Sequence, residues 1–184
     1  MASELIVQTL KGPTSGANAN KVIIPSGQTL DASAGGMTTP AGHVIQVVNE
    51  VRTSELTTTT TGVWTDSGVV AKITPSSTAS KILISCALGV SVWRNDGSEA
   101  NSRLRIQRTS PSAATIGAVK TYYHYDYGTD GIYANIPVYL ESLDSPTTTS
   151  EITYEIQIRL TVGSAVGVNR DSTQSTITLM EIAG

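Results

Sequence analysis

Twelve consecutive residues, EITYEIQIRLTV (151–162), constrain this chain more than any other stretch. In an extended strand Ile152, Tyr154, Ile156, Ile158, Leu160 and Val162 point one way. Glu151, Thr153, Glu155, Gln157, Arg159 and Thr161 point the other. A slip of one residue would bury both glutamates and Arg159, so the strand's register is strongly specified. KILISCALGVSVW (81–93) repeats the pattern, with Ile82, Ile84, Cys86, Leu88, Val90 and Val92 on one face. Each such side chain is worth about 1.5–3 kcal/mol on full burial, so two faces of this kind supply most of a core. Cys86 falls inside the apolar row and is expected to be a buried, inert thiol.

No long stretch repeats apolar residues at helical spacing, whereas period-2 alternation recurs along the chain. Turn chemistry separates the alternating segments. RNDGSEAN (94–101) carries Asp-Gly and is expected as a hairpin or short loop leading to SRLRIQR. ITPSSTAS (73–80), YGTDG (127–131), LDSPTTTS (143–150) and VNRDSTQ (168–174) are further turns. Strands are expected at 43–52, 63–73, 81–93, 103–109, 134–143, 151–162 and 175–182. That spacing predicts an all-β fold, an antiparallel β-sandwich or jelly roll forming a head over residues 43–184. Residues 1–42 differ in kind. Their short apolar pieces, LIVQTLKG and KVIIPSGQTLDAS, are interrupted by Gly and Pro and cannot bury a core alone. They predict an extended N-terminal arm, ordered by pairing with partner chains or a host surface. Pro25 places a strand edge or strand start there.

Two segments break the alternation. In HVIQVV (43–48), Val44 and Val48 lie opposite Ile45 and Val47; in STITLMEIAG (175–184), Ile177 and Leu179 lie opposite Met180 and Ile182. A sandwich strand normally shows one face to the core and one to water. Apolar residues on both sides imply that these first and last strands pair in one sheet whose outer face another subunit covers. Ile45, Val47, Met180 and Ile182 are the candidates for that interface. The alternative is a bulge that re-aims Met180 and Ile182 into the same core.

A formal charge of −3 and a pI near 5.3 argue against a nucleic-acid partner, which needs clustered Lys and Arg. The nearest basic patch, RLRIQR (103–108), alternates with Leu104 and Ile106 and is expected as a solvated strand face. A single cysteine allows neither an intrachain disulfide nor a metal framework. The start, MASELIVQTLKG, has no basic n-region or long apolar run, so no signal peptide is expected. No apolar run approaches the roughly 20 residues that span a bilayer, so no membrane insertion is expected. The two histidines, His43 and His124, stand in no metal-binding spacing, and neither a nucleophile elbow nor a phosphate loop occurs. Asp96 and Asp130 are turn formers in RNDG and GTDG. Glu99, Asp126 and Glu141 are the carboxylates from which a glycosidase pair would have to come. No catalytic residue, metal or cofactor is expected.

The segment VKTYYHYDYGTDGIYA (119–134) holds Tyr122, Tyr123, Tyr125, Tyr127 and Tyr133 in a chain without phenylalanine. Tyrosine offers a rigid face with a polar tip, suited to binding surfaces and to stacking on sugars. Tyr122, Tyr123, His124, Tyr125, Asp126 and Tyr127 are therefore candidates for contact with a host receptor or glycan, with Tyr125 and Tyr127 foremost and Trp93 secondary. The alternative for Tyr122, Tyr123 and Tyr133 is packing beneath a long loop.

LDSPTTTSEITYEIQIR (143–159), the NRDS segment (169–172) and the terminal STITLMEIAG resemble the C-terminal domain of marine bacteriophage, cyanophage-like, tail-fibre and virion structural proteins. ANKVIIPSGQTLDASAGG (19–36), leading to AGHVIQVV, is similar to the stem before that domain. The resemblance implies a homotrimeric, jelly-roll-like antiparallel β-sandwich head on an intertwined stem, assembled in the host cytoplasm and carried on the virion. It further implies contacts of the arm with other virion proteins. Two roles fit: a short tail fibre or fibre tip in host attachment, or a capsid decoration or cement protein.

Overall fold

The computed structural model describes residues 11–19, 21–28, 39–95, 97, 99–125 and 131–184. The chain divides into two compact units, Met1–Thr38 and Thr39–Gly184. In the first, the described residues form turns. The Gln28 N–H donates to the Pro25 carbonyl at 3.1 Å, so Pro25 opens a turn where a strand was expected.

Among the described residues the second unit holds ten strands: β1 (Val44–Arg52), β2 (Leu56–Thr58), β3 (Thr65–Ile73), β4 (Lys81–Arg94), β5 (Glu99–Ser110), β6 (Ala114–Tyr125), β7 (Ile132–Asp144), β8 (Ile152–Val162), β9 (Ala165–Val168) and β10 (Ser175–Ile182). They form two antiparallel sheets. In the first, β4 pairs with β7 on one edge and with β10 and then β9 on the other, and β1 and β2 flank these. The second runs β3-β8-β5-β6. Strands pair outermost with outermost: β1 with β10, β3 with β8, β4 with β7, β5 with β6. The chain is thus a nested hairpin wound across two sheets, which is the jelly roll. β4 and β5 lie in different sheets, so of the two expectations for the segment between them the hairpin is excluded.

The two alternating segments lie where their patterns require. Ile82, Ile84, Cys86, Leu88, Val90 and Val92 form the inner row of β4, and Ile152 to Leu160 that of β8, all 3% exposed or less. Burial pushes the Cys86 thiol up to about 12, so it stays protonated and unreactive. Strands β2, β6 and β9 were not expected. β6 is an edge strand, exposed along most of its length, and an edge strand carries no alternating signature.

Two polar clusters close the core. On the inner row of β10, after Ile177 and Leu179, stands Glu181, fully buried. Its carboxylate accepts bonds from the Ser76 N–H (2.7 Å), the Ser76 hydroxyl (2.6 Å), the Ser80 hydroxyl (2.7 Å) and the Gln46 amide (2.6 Å). This ties β1, β10 and the loop before β4. Asp144, at the end of β7, accepts from Arg108 of β5 and the Tyr154 hydroxyl of β8, both at 2.7 Å, and so links the sheets.

Burial of Glu181 opposes ionisation, but its hydrogen bonds prevail and hold the carboxyl below the usual range. A folded pKa below the unfolded one contributes stability above the unfolded value of about 4.3, lost as pH falls through the folded value. Glu181→Gln is expected to cost about 2 kcal/mol at neutral pH. It should also flatten the loss of stability below about pH 4. Urea denaturation of both proteins at pH 7 and pH 3 measures the two effects; an unchanged acid limb would refute the assignment.

Candidate functional site

The tyrosine-rich segment builds β6, at the edge of the second sheet. Tyr125 pairs with Glu99, Tyr123 with Asn101, and Thr121 with Arg103, so these residues share the outer face. Tyr123 and Tyr125 are 59% and 61% exposed, and their rings stack at 6.4 Å with planes 8° apart. Tyr122 faces the other way and packs against the core. Of the two readings given for Tyr123, its exposure speaks against the packing alternative. His124 is half-buried on the inner side of the strand, beside Ala100. Asp126 and Tyr127 lie outside the described residues, as do Asp96 and Asp130.

Trp93 is not brought to these tyrosines. It sits on β4 in the other sheet, register partner of Tyr133 on β7, with ring centroids 6.2 Å apart. Arg170 lies over both rings, its guanidinium carbon 4.3 Å from the Trp93 centroid and 5.2 Å from that of Tyr133. The neighbouring Asp171 accepts from the Tyr133 hydroxyl (2.6 Å) and the Asn135 amide (3.1 Å). These two bonds, then the Arg170 charge, hold the Asp171 carboxyl below its usual range against some desolvation. The Trp93 face that a sugar would need is thus already in contact with Arg170. The backbone here is strained: Asn169, Asp171 and Ser172 all have positive φ, at 58°, 56° and 62°. Beside this cluster runs a groove of about 310 Å³, lined by Gly89, Asn135, Pro137, Tyr139 and Thr173. Gly89 is required there, since a Cβ would stand 2.6 Å from the Thr173 hydroxyl.

The first and last strands do pair, in the first sheet. A register shift lies in β1 between Val44 and Gln46, so Val44 pairs with Ile182 and leaves the face of Val48. Met180 and Ile182 are not re-aimed inward; both stay half-buried on the outer side, opposite the inner Leu179 and Glu181. One row crosses this outer face through register partners Val47, Met180, Leu83 and Leu143. Its ends, Val47 and Leu143, are 54% and 53% exposed, and Ile45 is 37% exposed at the bulge. The sequence pattern did not single out Leu83 or Leu143, because each takes its place in the row only through strand pairing.

The carboxylates considered for catalysis are kept apart. Glu99 lies on β5 opposite Tyr125, and Glu141 on β7 opposite Ser85, in different sheets.

No family model matches the chain, and no curated protein matches it. Among solved structures it is similar to a chain in the structure of infectious bursal disease virus Gt strain, at 14% identity and a TM-score of 0.34. That alignment covers 88% of this chain and 43% of the other. A chain in the crystal structure of the infectious bursal disease virus VP2 subviral particle aligns at 14% identity and a TM-score of 0.33, over 93% and 46% respectively. This chain spans less than half the length of either. The fold assignment rests on the strand order alone.

The strained turn allows a direct check. Ser172 is exposed, so Ser172→Gly should stabilise the protein by about 1 kcal/mol by relieving a left-handed non-glycine residue. Asp171→Gly relieves the same kind of strain but loses the bonds to Tyr133 and Asn135, and should bring no net gain. Denaturant midpoints of the two variants decide it.

Proposed function

We propose that the chain is a non-enzymatic virion structural protein, a short trimeric tail fibre or fibre tip that contacts the host surface. The observation that carries this reading is the apolar row Val47–Met180–Leu83–Leu143 on the outside of a jelly-roll sheet. An apolar band on a sheet face that would otherwise meet water marks an interaction surface. A second copy of the chain supplies a matching surface by symmetry. Three copies, rather than two, is what the fibre resemblance implies. In this arrangement the first sheet turns inward to its neighbours and the second sheet, with Tyr123 and Tyr125, turns outward. Residues 1–42 would join the head to other virion proteins, and the particle would be assembled in the host cytoplasm.

Light scattering of the purified chain should give the mass of a trimer. Val47→Glu and Leu143→Glu, both at exposed positions that a folded monomer tolerates, should shift it to monomer. A wild-type monomer would remove the interface. On particles, Tyr123→Ala with Tyr125→Ala should cut adsorption to host cells about tenfold or more while the trimer persists. Unchanged adsorption would remove the attachment role.

A further inference from the structure

We infer that the outer face of the β5–β8 pair binds an acidic sugar, whose carboxylate is held between Arg103 and Arg159. The two arginines are direct register partners on neighbouring strands, so their guanidinium groups share one face at one level. Like charges placed directly opposite destabilise a sheet. The guanidinium groups of the other arginines on these strands have hydrogen-bond partners. Arg105 donates through Nε (2.8 Å) and Nη2 (2.6 Å) to Gln157 Oε1 and lies 4.4 Å over the Trp64 ring. Arg108 is paired with Asp144. Arg103 and Arg159 form no ion pair among the described residues, whose salt bridges are Lys72–Glu151 and Arg108–Asp144. Both Nε atoms are buried without an acceptor.

The deficit is local. Five buried side-chain polar atoms of the described residues have no partner: those two Nε atoms, Asn101 Oδ1, Ser102 Oγ and Thr161 Oγ1. All five fall in 101–103 and 159–161, two segments that face each other across the register shift between Asn101 and Ser102; Ser102, the partner of Leu160, faces the core, and the two arginines face outward. Buried polar groups are almost always satisfied, so a cluster of exceptions calls for a reason. Of the carboxylates on this face, Glu99 and Glu155 stand four strand positions from Arg103 and Arg159, about 13 Å away, and Asp66, the register partner of Gln157, stands diagonal to Arg159. None of the three is ion-paired with either arginine of the pair.

The neighbours narrow the anion to one borne on a sugar. Trp64 lies over Arg105 and 6.0 Å from Arg159, on one side of the pair. On the other side, Thr121 is the partner of Arg103, followed along β6 by the stacked Tyr123 and Tyr125. Aromatic faces flanking a planar two-armed donor suit a pyranose ring carrying a carboxylate, which a guanidinium meets in a fork. A nucleic acid would need a basic stripe tracking a backbone, and the chain carries a net charge of −3.

The inference deepens the attachment reading by naming the class of host-surface molecule, but its test uses purified protein and so fails or succeeds separately from adsorption. Biolayer binding of the full chain to immobilised polyuronate should be measured beside neutral dextran, dextran sulfate and a single-stranded oligothymidylate. Binding to polyuronate, none to dextran, and a loss of at least about tenfold in Arg103→Gln/Arg159→Gln is the expected result. Lys72→Gln, on the same outer face but ion-paired with Glu151, should leave binding unchanged. The single variant Arg103→Gln should raise the thermal midpoint by about 1–3 °C, because it removes the opposed charge. No binding by the wild type, equal loss in Lys72→Gln, or a lowered midpoint in Arg103→Gln would each overturn the site. Preference for dextran sulfate would make the ligand a sulfated sugar and overturn the carboxylate, and equal binding of the oligothymidylate would overturn the sugar.

Discussion

Everything in the head unit hangs on β4. It pairs with β7 from Ile82 to Arg94, and on its other edge with β10 and then β9. Its even-numbered residues form one wall of the core, so a slip of one residue would expose Ile82, Ile84, Leu88, Val90 and Val92 together. No rearrangement of neighbours could recover that loss. The register of β4 therefore sets that of β7, β9 and β10, and through β10 that of β1. Once β4 is placed, the outer row from Val47 to Leu143 is placed as well. An outer-face property is a consequence of core packing.

The same logic separates two surfaces of opposite character. Alternation forces each sheet to present whatever its sequence holds at the outward positions. On the first sheet these include the apolar row Val47, Met180, Leu83 and Leu143, beside the polar row Asn49, Thr178, Ser85 and Glu141. On the second they are arginine, glutamine, threonine and tyrosine.

How far this could be foreseen depends on where information resides. Alternation is local, so β4, β8 and the pairing of β1 with β10 are legible from neighbouring residues. β6 is not, because an edge strand with Gly117, Lys120 and exposed tyrosines has no apolar row to display. β2 and β9 are too short to show a period. Glu181 sits at an inward position that its charge would argue against, and only the approach of Ser76, Ser80 and Gln46 makes it acceptable. The Arg103–Arg159 opposition is invisible for a different reason. The residues are 56 positions apart, and each alone resembles an ordinary solvated strand arginine.

Local costs in this fold are not randomly distributed. The buried carboxylate of Glu181 is satisfied fourfold, and that of Asp144 by Arg108 and Tyr154, so the buried carboxylates of the core are fully paired. The left-handed residues of Asn169–Ser172 and the unpartnered Nε atoms of Arg103 and Arg159 belong instead to a turn and to an outer sheet face. A nested jelly roll whose strands pair over long sequence separations gains its stability from the interior rows, which leaves margin for such costs outside. Where local chemistry breaks the rules that the rest of a chain obeys, function is the ordinary cause. Here the unpaired charges, Arg103 and Arg159, fall on a face that alternation leaves free.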